Sequence, residues 1–241
     1  MKDVITHLKD VVRIEQITDS TYNMHLPIMY YGGDWVVIEV SVNNNTFSIS
    51  DKGFAILNAQ SIVNNIDNSN YKRSLNNISK EYGLDVSTTG TLYLNDVTNE
   101  QLYASISDIA NASQKLSNII IENAMQQEAK KIRDLVQYKL QNLFKDDYKK
   151  KVIVDYEVIG NSSKQYSIPF CIDNDIKRFI EPLNNNATAI AAVHTKFFDI
   201  GKDAKHSREI AIDDFGKWDS PNIELLKPIC EKINPYNKIA I

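Results

Sequence analysis

The sequence is poor in residues that make covalent or metal staples. Of its 241 residues only two are cysteine, Cys171 and Cys230, and each sits in an apolar run (SIPFCID, LLKPICEKI). No Cys-x-x-Cys pair and no Cys/His cluster occurs, which argues against the common structural zinc modules. The two thiols are expected to be buried and reduced. Glycine (8) and proline (6) are also scarce, and no repeat or low-complexity linker is visible. No stretch approaches the roughly 20 apolar residues of a membrane-spanning helix. The opening residues, MKDVITHLKDVVRIEQ, interleave charges where a secretory leader would be uniformly apolar. A cytoplasmic protein without membrane association is the expectation. An excess of positive charge is missing too: 27 Lys and Arg stand against 31 Asp and Glu, a formal net charge of −4. A broad cationic coat for nucleic acid is thereby disfavoured, though a local basic patch is not.

What is present suffices for ordinary cores. Hydrophobic residues make up 43% and charged residues 24%, enough for one large domain or two of usual size. Asparagine is abundant (VNNN, SIVNNIDNSN, LNNNA), as in chains from AT-rich genomes.

Periodicity outlines the elements. Residues 4–17 have helical spacing. Tyr22 to Tyr31 reads as a strand ending at Gly32-Gly33, and WVVIEVSV (35–42) and TFSIS (46–50) as a hairpin turned at NNN (43–45). Asp51 is placed to cap a helix over KGFAILNAQSIV. A further helix is expected over 70–82, ending at Gly83, then a hairpin with Gly90 in its turn. From Leu102 to about Lys145 there is neither Gly nor Pro, and apolar residues recur at three and four. That length predicts two helices or one bent one, starting near Asp96 or Thr98 and dividing near 115–128. Strands are expected over 151–160, 165–172, 177–183 and 208–215, with helices over 187–198 and 221–233 and a last strand at KIAI. The fold class is therefore α+β/α/β, with a small N-terminal α+β domain (1–120), a long helical connection, and a mixed sheet flanked by helices (121–241).

The order helix, three strands, helix, strand in 121–241 resembles the PD-(D/E)xK nuclease superfamily, so a restriction-nuclease-like domain is implied. In that fold an acid on the first helix, an Asp on the second strand and a Glu-x-Lys on the third hold a divalent metal, usually magnesium, which activates a water. On this sequence the helix acid falls at Glu128. The second-strand Asp falls near Pro169-Phe170, where proline cannot ligate. Phe179-Ile180-Glu181-Pro182-Leu183 keeps the Glu as Glu181 but has Leu183 for the lysine. The resemblance thus implies a degenerate nuclease with no catalytic residues and no metal. If activity survives, Glu128, Asp173 and Glu181 would carry it with magnesium, Asp175 being a second candidate for a migrated ligand. The bland alternative is that Glu181 is a surface acid on an edge strand, which Pro182 would suit.

The first half also resembles an uncharacterised bacterial and prophage family, the domain of unknown function eighteen twenty-eight, which is often followed by a partner domain, eighteen twenty-nine. The matching residues are Leu26-Pro27, Gly33-Asp34 before WVVIEV, and Ser50-Asp51-Lys52-Gly53. That turn motif (Asp34, Asp51, Gly53) is either a ligand-binding turn or a helix cap with its tight turn. The resemblance implies a phage or mobile-element setting, where small proteins that block host defence nucleases are common. Lys130, Lys131, Arg133, Lys149, Lys150 and Lys151 form a positive stretch for phosphates or an acidic partner, interrupted by Glu128, Asp134, Asp146 and Asp147, as on a solvated helix face. His7, His25, His194 and His206 accompany no nucleophile and are expected to pack or face solvent. The leading expectation is a non-catalytic protein that binds a host protein or ribonucleoprotein complex, for instance as an anti-CRISPR or similar anti-defence inhibitor. The alternatives are a divergent metal-dependent nuclease and a nucleic-acid-binding regulator. Sequence leaves the oligomeric state open.

Overall fold

The computed structural model describes residues 12–63 and 66–240. The chain divides into two compact units, one up to Met125 and one from Gln126.

The first unit is built on a six-stranded antiparallel sheet in the order β1-β2-β3-β4-β6-β5. Its strands are β1 (Arg13–Gln16), β2 (Thr21–Met29), β3 (Trp35–Asn43), β4 (Thr46–Ser50), β5 (Asp85–Val86) and β6 (Leu92–Val97). Residues 13–16 are a strand where helical spacing was expected; they pair with Tyr22–His25, so cross-strand pairing overrides the local periodicity. The rest of the expected helix, residues 4–11, lies outside the described residues. In β3 the alternation is strict: Val36, Ile38 and Val40 are buried while Trp35 is exposed. Helices α1 (Phe54–Ile62) and α2 (Asn68–Tyr82) follow, and the first part of α3 (Leu102–Phe144) completes the unit. Helix α2 opens where the Asp67 carboxylate accepts from Ser69 and Asn70 N–H, and closes at Gly83 in the left-handed region (φ 65°). The 43-residue α3 is a single helix, not a pair. With no Gly or Pro in it, nothing local stops it. It begins at Leu102, after Gln101 Oε1 accepts from the Thr98 N–H in a reciprocal cap.

The second unit holds a five-stranded mixed sheet in the order β11-β10-β9-β8-β7. Its meander is β7 (Val152–Ile159), β8 (Gln165–Ile172) and β9 (Lys177–Pro182), all antiparallel. Then α5 (Ala187–Ile200) crosses over to β10 (His206–Ile212), parallel to β9, and α6 (Ser220–Leu226) leads to β11 (Lys232–Pro235), parallel to β10. The short helix α4 (Tyr148–Lys151) joins α3 to β7. The expected helix over 221–233 ends at Leu226 and is prolonged only by a 3-10 turn at Lys227–Ile229. The last strand is therefore Lys232–Pro235, not KIAI. Pro228 lies in that 3-10 turn and limits the helix. The sheet is covered on both faces. Ile132, Val136 and Leu140 of α3 pack on Phe170 and Ile180, whereas Val193 and Phe197 of α5 pack on Ile168 and Phe179. Cys171 and Cys230 are buried free thiols, each pushed up to about 11 by burial. Among the described residues no helix is long and apolar enough to cross a membrane.

Candidate functional site at the carboxyl ends of the parallel strands

In an open sheet with parallel strands, the carboxyl ends gather loops and helix ends, and ligands usually bind there. Here that edge carries Glu181 near the end of β9 and Asp213 just after β10. Glu181 is a core residue rather than a surface acid: it is 7% exposed, and β9 lies inside the sheet between β8 and β10. The edge-strand expectation is corrected accordingly.

Proline shapes this corner. Pro169 has no N–H to give, and the β8–β9 ladder stops at Phe170↔Ile180, one step before Pro169 would meet Glu181. On the other side of β8, Asp155 opposite Pro169 turns into the left-handed region (φ 53°). Lys196 of α5 fills the opening. Its Nζ donates to Glu181 Oε2 at 2.8 Å and to the Ser167 carbonyl at 3.1 Å. Burial pushes the Glu181 carboxyl above its ordinary value, opposed by the charge and hydrogen bond of Lys196 and, more weakly, by Arg133. Both side chains are largely covered, 9% and 17% exposed. Leu183, in the slot of the nuclease lysine, is 3% exposed and belongs to the hydrophobic core.

At the same end of the sheet, after β10, Lys217 Nζ meets Asp213 Oδ2 at 2.8 Å, and Trp218 Nε1 donates to Asp213 Oδ1 at 3.3 Å. Burial pushes the Asp213 carboxyl up, but the hydrogen bonds from Lys217, the Asp214 backbone and Trp218 outweigh it and hold it below the ordinary range. Lys217 is held above its ordinary value chiefly by the Asp213 hydrogen bond, and the negative charge of Glu128 adds to that. Glu128 thus sits on exposed helix within electrostatic reach of the Asp213–Lys217 pair.

Asp173 is elsewhere. It follows the far end of β8 and pairs with Lys177 at the start of β9. Glu181 stands four residues further along β9 than Lys177, which is about 13 Å at the usual rise per residue. Asp175 lies in the same loop, before Lys177, and so at the same far end of β9. The proposed trio of Glu128, Asp173 and Glu181 is therefore not brought together. Glu181's near neighbours are an ammonium, a carbonyl and a proline. A magnesium ion, which wants several oxygens and would be repelled by Lys196, does not fit that set. Among the described residues no group of three His, Cys, Asp or Glu converges as a metal site.

The basic residues scatter. Lys130 and Lys131 flank a shallow groove with Gln127, Asp134 and Leu135. Arg133 is occupied, its Nη2 within 2.9 Å of both Asp155 oxygens and its guanidinium over the Phe170 ring. Lys149, Lys150 and Lys151 lie in α4, beyond the end of α3, with Lys150 facing Asp147 at 3.4 Å. From Lys131 to the end of α3 alone is about 20 Å of helix, so these cations form separate groups. His206 stacks on Phe179, His194 on Phe198, and His25 Nε2 lies 3.5 Å from Glu15. His7 lies outside the described residues.

The turn motif of the first unit is a structural hub. Asp51 is fully buried. Its Oδ1 accepts from Gly53 N–H (3.0 Å) and Leu92 N–H (2.9 Å); its Oδ2 accepts from Ser113 Oγ (3.1 Å) and more distantly from Ala55 N–H (3.5 Å). Ser113 in turn meets the Tyr30 hydroxyl at 2.7 Å. One carboxylate therefore joins the β4–α1 turn to β6 and α3, from two residues ahead of the Gly53 cap position. Gly53 itself needs its left-handed conformation (φ 77°). Asp34 lies elsewhere, exposed at the start of β3. Sequence reasoning missed Lys196, Asp213 and Lys217. Lys196 is fifteen residues from Glu181 on another element, so no linear motif marks it.

No family model, curated protein or solved structure matches this chain.

Proposed function

We propose that this chain is a non-catalytic binding protein of phage or mobile-element origin, which inhibits a host nucleic-acid-targeting defence complex by stoichiometric association, as an anti-CRISPR or similar anti-defence protein. The second unit is read as a degenerate PD-(D/E)xK domain. Its run of helix, antiparallel meander, crossover helix and parallel strand supports that reading. The observation that carries the proposal is the Glu181–Lys196 pair. The strand acid retained in the nuclease pattern is neutralised by an ammonium and covered by α5. Its role there is to hold helix on sheet. The resemblance of the first half to prophage proteins, and a net charge of −4 that can compete for a cationic nucleic-acid channel, point the same way.

A second reading, a divergent nuclease, draws on the same pair. Lys196 stands beside Glu181 as the strand lysine of Glu-x-Lys would, supplied from a helix instead. One experiment separates the two. The full chain is incubated with plasmid DNA and RNA in magnesium or manganese, and in parallel is titrated into purified CRISPR effector complexes cutting their own targets. No cleavage above the Glu181→Ala control, with inhibition saturating at a fixed molar ratio, is expected. Multiple-turnover cleavage that Glu181→Ala abolishes overturns the inert reading.

A further inference from the structure

Around the turn between β2 and β3 the first unit exposes an apolar patch. Met29 (54% exposed) and Trp35 (48%) are cross-strand neighbours at the end of the hairpin, Tyr31 (52%) stands in the turn, and Leu57 (53%) rises from α1. Trp35 and Leu57 also line a cavity of about 660 Å³, which extends past Val37 and His25 to Arg13. Large apolar side chains gathered in solvent at one place mark an interaction surface, and Trp, Tyr and Met are residues that interfaces favour. The backbone beneath them is tied down. Gln114 Nε2 donates to the Met29 carbonyl at 2.6 Å, and the buried Tyr30 hydroxyl meets Ser113 Oγ at 2.7 Å. The patch is thus held ready, and binding needs little ordering of the chain.

The charges around the patch are few and specific. Arg13, His25 and Asp34 line the cavity. His25 Nε2 lies 3.5 Å from Glu15. Arg13 and Asp34 are exposed, and neither side chain has an ion-pair or hydrogen-bond partner among the described residues. They stand at opposite ends. Arg13 is paired in register with His25 of β2, whereas the Asp34 carbonyl accepts from the Tyr30 N–H, five residues further on. That separation is about 15 Å at the usual rise per residue. The surface therefore has an apolar centre, one unanswered cation at one end and one unanswered carboxylate at the other.

We propose that this surface binds a second copy of the chain about a two-fold axis. A two-fold contact is self-complementary: what one residue meets on the other copy, its counterpart meets in return. Turning the patch on itself brings Arg13 of each copy to Asp34 of the other and opposes no like charges among these four groups. A foreign protein would need the same arrangement of one cation and one carboxylate about an apolar centre, which the second copy has by construction. The turn that carries Asp34, with Met29 and Tyr31 beside it, enters the hollow by Trp35 and Leu57 of the other copy, whose far end holds Arg13. Half-exposed side chains of this size offer about 100 Å² each. Two copies thus bring about 800 Å² before the cavity walls and charged ends are counted, which carries the contact to the roughly 1,000 Å² of small specific interfaces. The proposal concerns the first unit alone and stands apart from the inhibitor reading.

Sedimentation velocity of the full chain over a concentration series reaching about 0.5 mM tests this, a range in which even a small interface is populated. The sedimenting mass is expected to approach that of two chains. Asp34→Arg and Arg13→Asp, at exposed positions where folding is not at stake, should each weaken the dimer about tenfold or more, since each sets two like-charge pairs across the axis. Mixed in equal amounts, the two variants should associate to within about threefold of wild type, because each supplies the charge that the other lacks. Leu57→Arg should weaken the dimer as much as either charge variant. The chain has two tryptophans, Trp35 and Trp218. In a Trp218→Phe background the emission of Trp35 alone is read, and it should shift to the blue with the same concentration dependence as Trp35 is covered. A chain that stays monomeric throughout overturns the proposal. So does a dimer indifferent to both charge variants, a pair of variants that fails to associate when mixed, or a Trp35 emission that does not change.

Discussion

Replacing Asp51 tests how the first unit is held together. Its carboxylate accepts four hydrogen bonds from three parts of the chain, and no solvent reaches it. Asp51→Ala strands the Gly53 and Leu92 N–H groups and loosens the Ser113–Tyr30 link. Each buried donor left unmade costs about 1–3 kcal/mol, so about 3–5 kcal/mol is expected in total. Asp51→Asn should cost far less, about 1 kcal/mol, since only the long Ala55 contact is forfeited. Its Oδ1 still takes Gly53 and Leu92, while Ser113 rotates to accept from Nδ2 and donate to Tyr30. The two variants also differ in pH dependence. Burial pushes the Asp51 carboxyl above 3.8, and the Gly53, Leu92, Ser113 and Ala55 hydrogen bonds only partly offset it. For a raised folded-state value, the associated stability is fully present below the ordinary value and is lost as pH rises through the folded one. Wild type should therefore lose stability relative to Asp51→Asn as pH climbs from 4 towards neutrality. Urea unfolding followed by Trp35 fluorescence in the Trp218→Phe background measures all of this. A loss below about 1 kcal/mol in Asp51→Ala, or equal losses in the two variants, would refute the hub.

Two further perturbations probe the second unit. Lys196→Met leaves Glu181 buried without its cation and should cost about 3 kcal/mol at pH 8 by urea unfolding. Because burial already raises the Glu181 carboxyl and Lys196 opposes that, the variant should recover as pH falls and Glu181 protonates; a deficit independent of pH would refute the pairing. Glu231→Gln tests Arg208, which is 2% exposed and bound through Nη2 to Glu231 Oε1 at 2.8 Å and through Nη1 to the Phe197 carbonyl at 2.8 Å. Glu231 is 36% exposed, so solvent reduces the loss to about 2 kcal/mol. Burial pushes Glu231 up, but the Arg208 hydrogen bonds outweigh it and hold it below 4.5, so wild-type stability from this pair is present above 4.5 and fades as pH falls through the lower folded value. The variant should lack that acid-side loss in a series of melts.

Local chemistry determined much of this protein. The alternation in WVVIEVSV sets a half-buried strand, Asp67 and Gly83 bound α2, and the run without Gly or Pro from Leu102 is helical, because each signal acts within a few residues; that the run stays one helix, where its length suggested a division or bend near 115–128, was not legible. In the second unit the order of strands and helices was legible for the same reason. Arg13–Gln16 was not, since strand β1 exists only through its pairing with β2. Nor was the last helix, cut short where β10 offers Lys232–Pro235 a parallel neighbour. The sites were decided by tertiary structure alone. Asp51 needed Leu92 and Ser113, 41 and 62 residues away, to become a hub instead of a simple cap. Glu181 looked like a lone strand acid until the crossover laid α5 over it and brought Lys196 into the gap that Pro169 leaves. Charge pairing acts over a few ångströms of space, and only the folded chain converts sequence separation into that distance.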